Sequence, residues 1–318
     1  MIGSGRAGHQ SHCLGVARAL GLDPVLKPAR TTGVFAALAP FAPIDPRDAP
    51  ARVGSPLAPP FPDIAFAAGR KTVPWLRALR KAARGKTFTV FLEDPRVGAG
   101  VADMIWVPEH DSLRGDNVLA TPTTPHGLRP AALKAARENL DPRIAALPPP
   151  RAALIVGGPS AHYRFSPADD AKLADAAKAL LARGFSVMAT ASRRTTPATA
   201  AAVRAALADA PQRTFFWDGG GDNPYVAMIA NADVVLATGD SVNMVSEALA
   251  TGAPAYVIEP TGGHPKMRRF LDGLIAGGHL RRWADVVEDW RHSPLDATET
   301  IAAEAAKRYA AFRALNPR

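Results

Sequence analysis

Residues 151–190 read RAALIVGGPSAHYRFSPADDAKLADAAKALLARGFSVMAT, and this stretch decides the fold. An apolar run, Ala152 to Val156, ends in the Gly157-Gly158 turn; a helical segment follows from Pro167 to Arg183, and a second apolar run begins at Phe185. Short apolar runs without polar alternation suit strands buried on both faces, and the helix between them is the crossover that parallel pairing needs. The unit recurs. A helix over Ala198 to Ala208 comes next, then a run from Phe215, a helix over Pro224 to Ala230, a strand at Val234 to Ala237, a helix over Val242 to Ala250 and a strand at Ala255 to Ile258. This is a Rossmann-like half whose loops at the strand carboxyl ends are where open α/β sheets bind ligands.

Upstream the same runs appear at Ile64 to Ala67, Thr87 to Leu92 and Met104 to Val107. The first half is less regular, because Pro40 to Pro62 holds eight prolines and cannot be one regular element. Phe35, Leu38, Phe41 and Phe61 either dock on the core or form an apolar lip for a lipid-linked acceptor or a membrane surface. Leu147-Pro148-Pro149-Pro150 can continue neither a helix nor a central strand and reads as the linker. The expected organisation is therefore α/β, with Rossmann-like domains over 1–147 and 151–285 whose parallel sheets face each other across a crevice. A segment over 286–318 completes it, in which Thr298 to Leu315 reads as an amphipathic helix packing back across the first domain.

A chain of 318 residues, 47% hydrophobic, has material for two cores. No apolar run reaches the roughly 18 residues of a membrane span, and the first residues lack the apolar stretch of a signal peptide, so a cytoplasmic protein is expected. The lone Cys13 has no intrachain partner and reads as a small core residue on a helix. A net charge of +9 favours an anionic partner: nucleic acid, an anionic membrane face, or ligand phosphates. The cluster Arg77, Arg80, Lys81, Arg84 and Lys86 carries no nucleic-acid motif or aromatic platform, which sets nucleic acid aside. The alanine- and arginine-rich composition suggests a bacterial source.

Four segments carry chemistry. Gly3-Ser4-Gly5-Arg6-Ala7-Gly8-His9 fits G-x-G-x-x-G and leads into a helix, which would turn backbone N–H groups toward an anion. Only Met1 and Ile2 precede it, and no acid follows the next strand-like stretch, Pro24 to Lys27. A dinucleotide site is thus disfavoured, and the missing strand suggests a natural start further upstream. Pro108-Glu109-His110-Asp111 follows a strand and offers acid/base groups, with His9 the rival base. Ser192-Arg193-Arg194-Thr195 places two guanidiniums and two hydroxyls at a strand end, a natural phosphate site. Thr238 to Glu247 opens a helix, where Ser241 could hold a diphosphate and Glu247 ribose hydroxyls; capping by Asp240 or Ser241 is the plainer reading. The acids and histidines show no metal-ligand spacing.

As an ordered set, these segments resemble the bacterial and plant family of elongated-mitochondria-type fission proteins. The likeness runs from Gly5 to about Arg282. It rests on Gly5-Arg6-Ala7-Gly8-His9, Pro62-Asp63 with Ala68-Gly69-Arg70, Asp94-Pro95-Arg96, Pro108 to Asp111 with Asn117-Val118, Gly157-Gly158-Pro159, Ser192 to Thr195, Asn223-Pro224-Tyr225, and Asp240-Ser241 through Met244 to Glu247. The resemblance implies a GT-B-type fold and a nucleotide-diphosphate sugar as substrate, with no tightly bound cofactor. It carries over Gly5, Arg6, Gly8, Arg70, Gly157, Gly158, Asn223, Tyr225, Asp240 and Met244 to the ligand site, beside Ser192, Arg193, Arg194, Thr195, Ser241 and Glu247. Metal-independent transfer to an unknown acceptor, which could be lipid-linked, would then use His9 or the Glu109-His110-Asp111 loop as base. An epimerase or hydrolase on the same donor would use the same parts. The plant member's implied recruitment of division machinery gives the alternative, a binding protein without catalysis.

Overall fold

In the computed structural model, which describes residues 1–29 and 32–316, every apolar run singled out above is a strand. Unit 1 comprises Met1–Gly127 and the chain from Ala297. It holds β1 (Ile2–Gly3), α1 (Ala7–Ala19), β2 (Lys27–Pro28), α2 (Gly33–Leu38), β3 (Ile64–Ala67), α3 (Val73–Ala82), β4 (Phe88–Leu92), β5 (Met104–Pro108) and β6 (Val118–Thr121). The strands form one parallel sheet in the order β2-β1-β3-β4-β5-β6. β4 shows why such runs are uninterrupted. Phe88, Val90 and Leu92 share a cluster with Cys13, Val16 and Ala17 of α1, while Phe91 packs in a second cluster with Leu76 and Leu79 of α3. With side chains alternating across a sheet covered on both faces, every position of the strand is buried, and its one polar residue, Thr89, is kept there by donating its hydroxyl to Asp103 Oδ2 at 2.6 Å.

Unit 2 spans Leu128–Asp296. It holds α4 (Pro130–Glu138), α5 (Pro142–Ala145), β7 (Arg151–Val156), α6 (Pro167–Ala182), β8 (Ser186–Ala191), α7 (Pro197–Leu207) and β9 (Thr214–Trp217). After these come α8 (Tyr225–Ala230), β10 (Val234–Thr238), α9 (Val242–Ala248), β11 (Ala255–Ile258), α10 (Pro265–Ala276) and β12 (Arg281–Arg282). Its parallel sheet runs β12-β11-β10-β7-β8-β9. Ala153 and Ile155 enter one cluster and Ala152, Leu154 and Val156 the other. The last helix, α11 (Ala297–Leu315), belongs to unit 1, where Ile301, Ala302 and Ala305 pack with α1 residues and Phe312 lies 5.4 Å from the Phe88 ring. Residues 317 and 318 of the 286–318 segment lie outside the described residues.

Strand order reverses between β1 and β3 in unit 1 and between β7 and β10 in unit 2. These are the switch points at which neighbouring loops diverge and leave room for a ligand.

Three readings change. The division falls after Gly127, not at Leu147–Pro150, because Leu133 of α4, Ile144 of α5 and Leu147 are buried in the cluster built on Ala153, Met188 and Met228 of unit 2. A strand does precede the glycine loop: β1 is only two residues long, yet Ile2 pairs with both Lys27 and Ala67 and is buried. The apolar residues around the proline-rich stretch divide, with Phe35 half-buried between the two groups. Phe61 packs on the core, whereas α2 buries no residue and Val34, Leu38 and Phe41 are 63%, 57% and 76% exposed. Cys13 is buried on α1, and burial pushes its thiol up to about 12. No helix among the described residues is long and apolar enough to cross a membrane.

Candidate functional site

In unit 2 the carboxyl ends of β7, β8 and β9 open on a pocket of 590 Å³ lined by Val156, Arg193, Trp217, Asn223, Met244 and Glu247, among others. Arg193 is exposed on the loop after β8 and makes no hydrogen bond or ion pair among the described residues. A guanidinium at a pocket wall with all five N–H donors uncommitted is suited to a planar anion such as phosphate. Across the lining, the Tyr225 hydroxyl donates to Glu247 Oε2 at 2.7 Å. Asn223 accepts from the Tyr225 N–H at 2.9 Å and so fixes the start of α8. Ser241 caps α9, its Oγ accepting from Met244 N at 3.5 Å, which sets the turn from which Met244 and Glu247 reach the lining.

Burial raises the Glu247 carboxyl above its usual 4.5, partly offset by the Tyr225 hydrogen bond. From about 4.5 upward the native state therefore holds this proton more tightly than the unfolded chain, and stability falls as pH rises through that window. Glu247→Gln has no proton to lose. Melting curves recorded from pH 4 to 8 should show the parent losing stability relative to the variant above about pH 4.5. Parallel curves would mean that the carboxyl is not desolvated.

The other polar residues of these loops brace one another. Asp240, whose side chain has no exposed surface, accepts from Thr238 Oγ1 at 2.6 Å, Gly158 N at 3.2 Å and Arg194 Nη2 at 2.8 Å. Arg194 also donates to the Gly158 and Pro159 carbonyls at 2.6 and 3.2 Å. Thr195 donates to the Val156 and Gly157 carbonyls, and its Oγ1 receives the Ser192 N–H at 2.8 Å. A Cβ on Gly157 would overlap the Asp240 carboxylate, and one on Gly158 the Arg194 carbonyl. The structure thus divides residues that the sequence and the resemblance assigned to the ligand site. Arg193 faces the pocket, while Gly157, Gly158, Arg194, Thr195 and Asp240 spend their polar groups fastening the ends of β7, β8 and β10.

Unit 1 gathers a second cluster at its switch point. The glycine loop leads from β1 into α1, with Gly5 at φ 80° and Arg6 and Gly8 exposed. His9 Nδ1 lies 2.7 Å from Ser4 Oγ and Nε2 lies 3.1 Å from Glu93 Oε1, just past β4. Burial, and then the nearby Arg6 charge, lowers the His9 imidazole below 6.5, so the neutral, proton-accepting form prevails at pH 7. Gly69, at φ 87°, lies where a Cβ would overlap Nδ1 of His9. Gly69→Ala should cost about 1–3 kcal/mol through overpacking and a disfavoured φ, and should push the ring toward water. Titration by NMR would then show His9 moving back toward 6.5; an unchanged titration and melting point would refute this packing.

Other expected residues lie elsewhere. Arg70 donates to the Ala39 carbonyl at 2.7 Å, anchoring the end of α2. The 108–111 loop is a turn whose Glu109 and Asp111 carbonyls accept from Arg114 at 2.9 and 2.6 Å. His9 pairs with Glu93, not with that turn. Sequence reading missed Glu93, Trp217 and Asp218. The available signal was position: an acid directly after β4, and an aromatic closing β9.

A family model described as Mitochondrial fission ELM1 matches residues 7–309. The chain is 30% identical over 277 residues to the Mitochondrial fission protein ELM1 of Arabidopsis thaliana, covering 79% of this chain but 64% of that one, less than two thirds of its length. Among solved structures, UDP-GlcNAc 2-epimerase from Methanocaldococcus jannaschii aligns over 96% of this chain and 99% of its own at a TM-score of 0.57 and 12% identity. Its complex with UDP-GlcNAc and UDP aligns at 0.53, again 12% identical, over 98% of each chain. The glycotransferase of kitacinnamycin aligns at 0.51 and 14% identity over 99% of this chain and 93% of that one. At these identities the likeness shows a GT-B-type fold.

Proposed function

The chain belongs to the Mitochondrial fission ELM1 family, and we propose that it binds a nucleotide-diphosphate sugar in the pocket of unit 2 and transfers the sugar to an acceptor. The uncommitted Arg193 guanidinium in a pocket that also presents Glu247 carries this reading. Arg193 would hold the diphosphate and stabilise the charge that builds on it as the glycosidic bond breaks, without a metal. Glu247 would accept from the ribose hydroxyls. Trp217 offers a face for the base. His9, neutral and oriented by Glu93, would take the acceptor proton. The epimerase that shares the fold has UDP-GlcNAc and UDP in its complex, which favours a uridine nucleotide. The exposed Val34, Leu38 and Phe41 suit a lipid-linked acceptor at an anionic membrane face in the cytoplasm.

A panel of nucleoside diphosphates and their sugars, followed by thermal denaturation, tests the binding step. A ligand at a hundred times its Kd stabilises by about 2.7 kcal/mol, a readily measured rise. Release of free nucleoside diphosphate from the sugar nucleotide then separates an enzyme from a protein that only binds. The name of the Arabidopsis relative favours the recruitment alternative, which predicts stabilisation without turnover, or no response to any nucleotide.

A further inference from the structure

The transfer reading calls on His9 and leaves Ser4 without a task. Ser4 stands between β1 and α1, on a strand-to-helix turn at the carboxyl end of a parallel strand, the placement that exposes the nucleophile of α/β hydrolases. Its Oγ is 2.7 Å from His9 Nδ1, while the other ring nitrogen is 3.1 Å from Glu93 Oε1. As a carboxylate, Glu93 has no proton to give, so Nε2 carries the ring hydrogen and Nδ1 keeps its lone pair. The Ser4 hydroxyl is therefore the donor in the 2.7 Å bond. Hydroxyl, imidazole and carboxylate stand in the sequence that activates a serine. The backbone supports this array at some cost. Glu93 is a non-glycine residue at φ 130°, its N–H tied to the Trp106 carbonyl at 2.8 Å, and Gly69 clears the space His9 fills.

We propose that Ser4 is the nucleophile of a Ser4-His9-Glu93 triad that takes an acyl group from a carboxylic ester. Ser4 Oγ bonds to the ester carbonyl carbon as its proton passes to His9 Nδ1. The ester C–O bond breaks, and His9 returns that proton to the departing alkoxide. Water then attacks the acyl-serine by the same route, releasing the carboxylic acid and restoring Ser4. The first-turn N–H groups of α1, where no side chain caps the helix and no acidic residue lies in the first turn, are the donors for the oxyanion. This activity goes beyond sugar transfer and does not depend on the unit 2 pocket.

Incubating the full chain with a fluorophosphonate, which forms a serine O–P bond with loss of fluoride, and mapping the adduct by mass spectrometry tests it. One adduct on Ser4 is expected, absent from Ser4→Ala and formed at least about a hundredfold more slowly by the isosteric Glu93→Gln. Glu93→Gln also serves if Ser4→Ala does not fold. No adduct on the parent while a known serine hydrolase in the same tube is labelled overturns the proposal, as does an adduct that persists in Ser4→Ala. A Ser4→Ala chain that loses the adduct but keeps its thermal response to nucleoside diphosphates separates the triad from the donor site.

Discussion

Arg193→Ala should melt at the parent's temperature and lose most of the parent's response to a nucleoside diphosphate. The first half follows from its surroundings: the side chain is exposed and makes no bond among the described residues, and surface changes of that kind stay within about 0.5 kcal/mol. The second follows from what it would do. Hydrogen bonds to charged groups contribute about 1.5–3 kcal/mol each, so one lost phosphate contact weakens binding by roughly 10- to 100-fold. Arg193→Lys should fall between, since an ammonium keeps the charge but not the planar fork. Arg194→Ala is the informative contrast. It severs bonds to Asp240, Gly158 and Pro159 and should lower the melting point with or without ligand. An Arg193→Ala protein that responds to nucleotide like the parent would move the phosphate site away from this loop.

Neighbouring arginines with opposite fates mark the limit of what a linear pattern can say. Strand, loop and helix order put Arg193 and Arg194 at a strand end, and that much was legible. Which of them faces the pocket depends on Asp240, 46 residues away from Arg194 along the chain but 2.8 Å away in space. Glu93 was illegible for the same reason, because its bond to His9 joins the first turn of α1 to the loop after β4, which only the sheet order brings together. Strands were the easiest elements to read. Burial on both faces writes itself into the sequence as an unbroken apolar run, as in Val234-Val235-Leu236-Ala237. Two-residue strands such as β1 and β12 leave no such trace, since neighbours rather than their own composition define them. The prolines at 148–150 signal a break in regular structure, but they carry no information about which sheet α4 and α5 pack against.

Asp240→Ala should destabilise unit 2 more than either Arg193→Ala or Arg194→Ala. Its carboxylate is wholly buried and collects the Thr238 hydroxyl, the Gly158 N–H and one arm of Arg194, so truncation strands three donors at once. Removing one partner of a buried ion pair costs about 3–5 kcal/mol. Arg194 is 41% exposed and can recover water, so a loss of about 2–4 kcal/mol is expected. That corresponds to roughly 5–15 °C for a domain of this size. Asp240→Asn keeps one acceptor oxygen and should lose about half as much. Because the same carboxylate ties the loop bearing Arg193 to the loop that opens α9, the variant should also bind nucleotide more weakly, through misplacement of Arg193 and Glu247. Pairing it with Arg194→Ala isolates the contact: in a double-mutant cycle the two losses should be markedly less than additive. A loss below about 1 kcal/mol for Asp240→Ala, or full additivity with Arg194→Ala, would show that the strand ends are held by their backbones and that the brace contributes little.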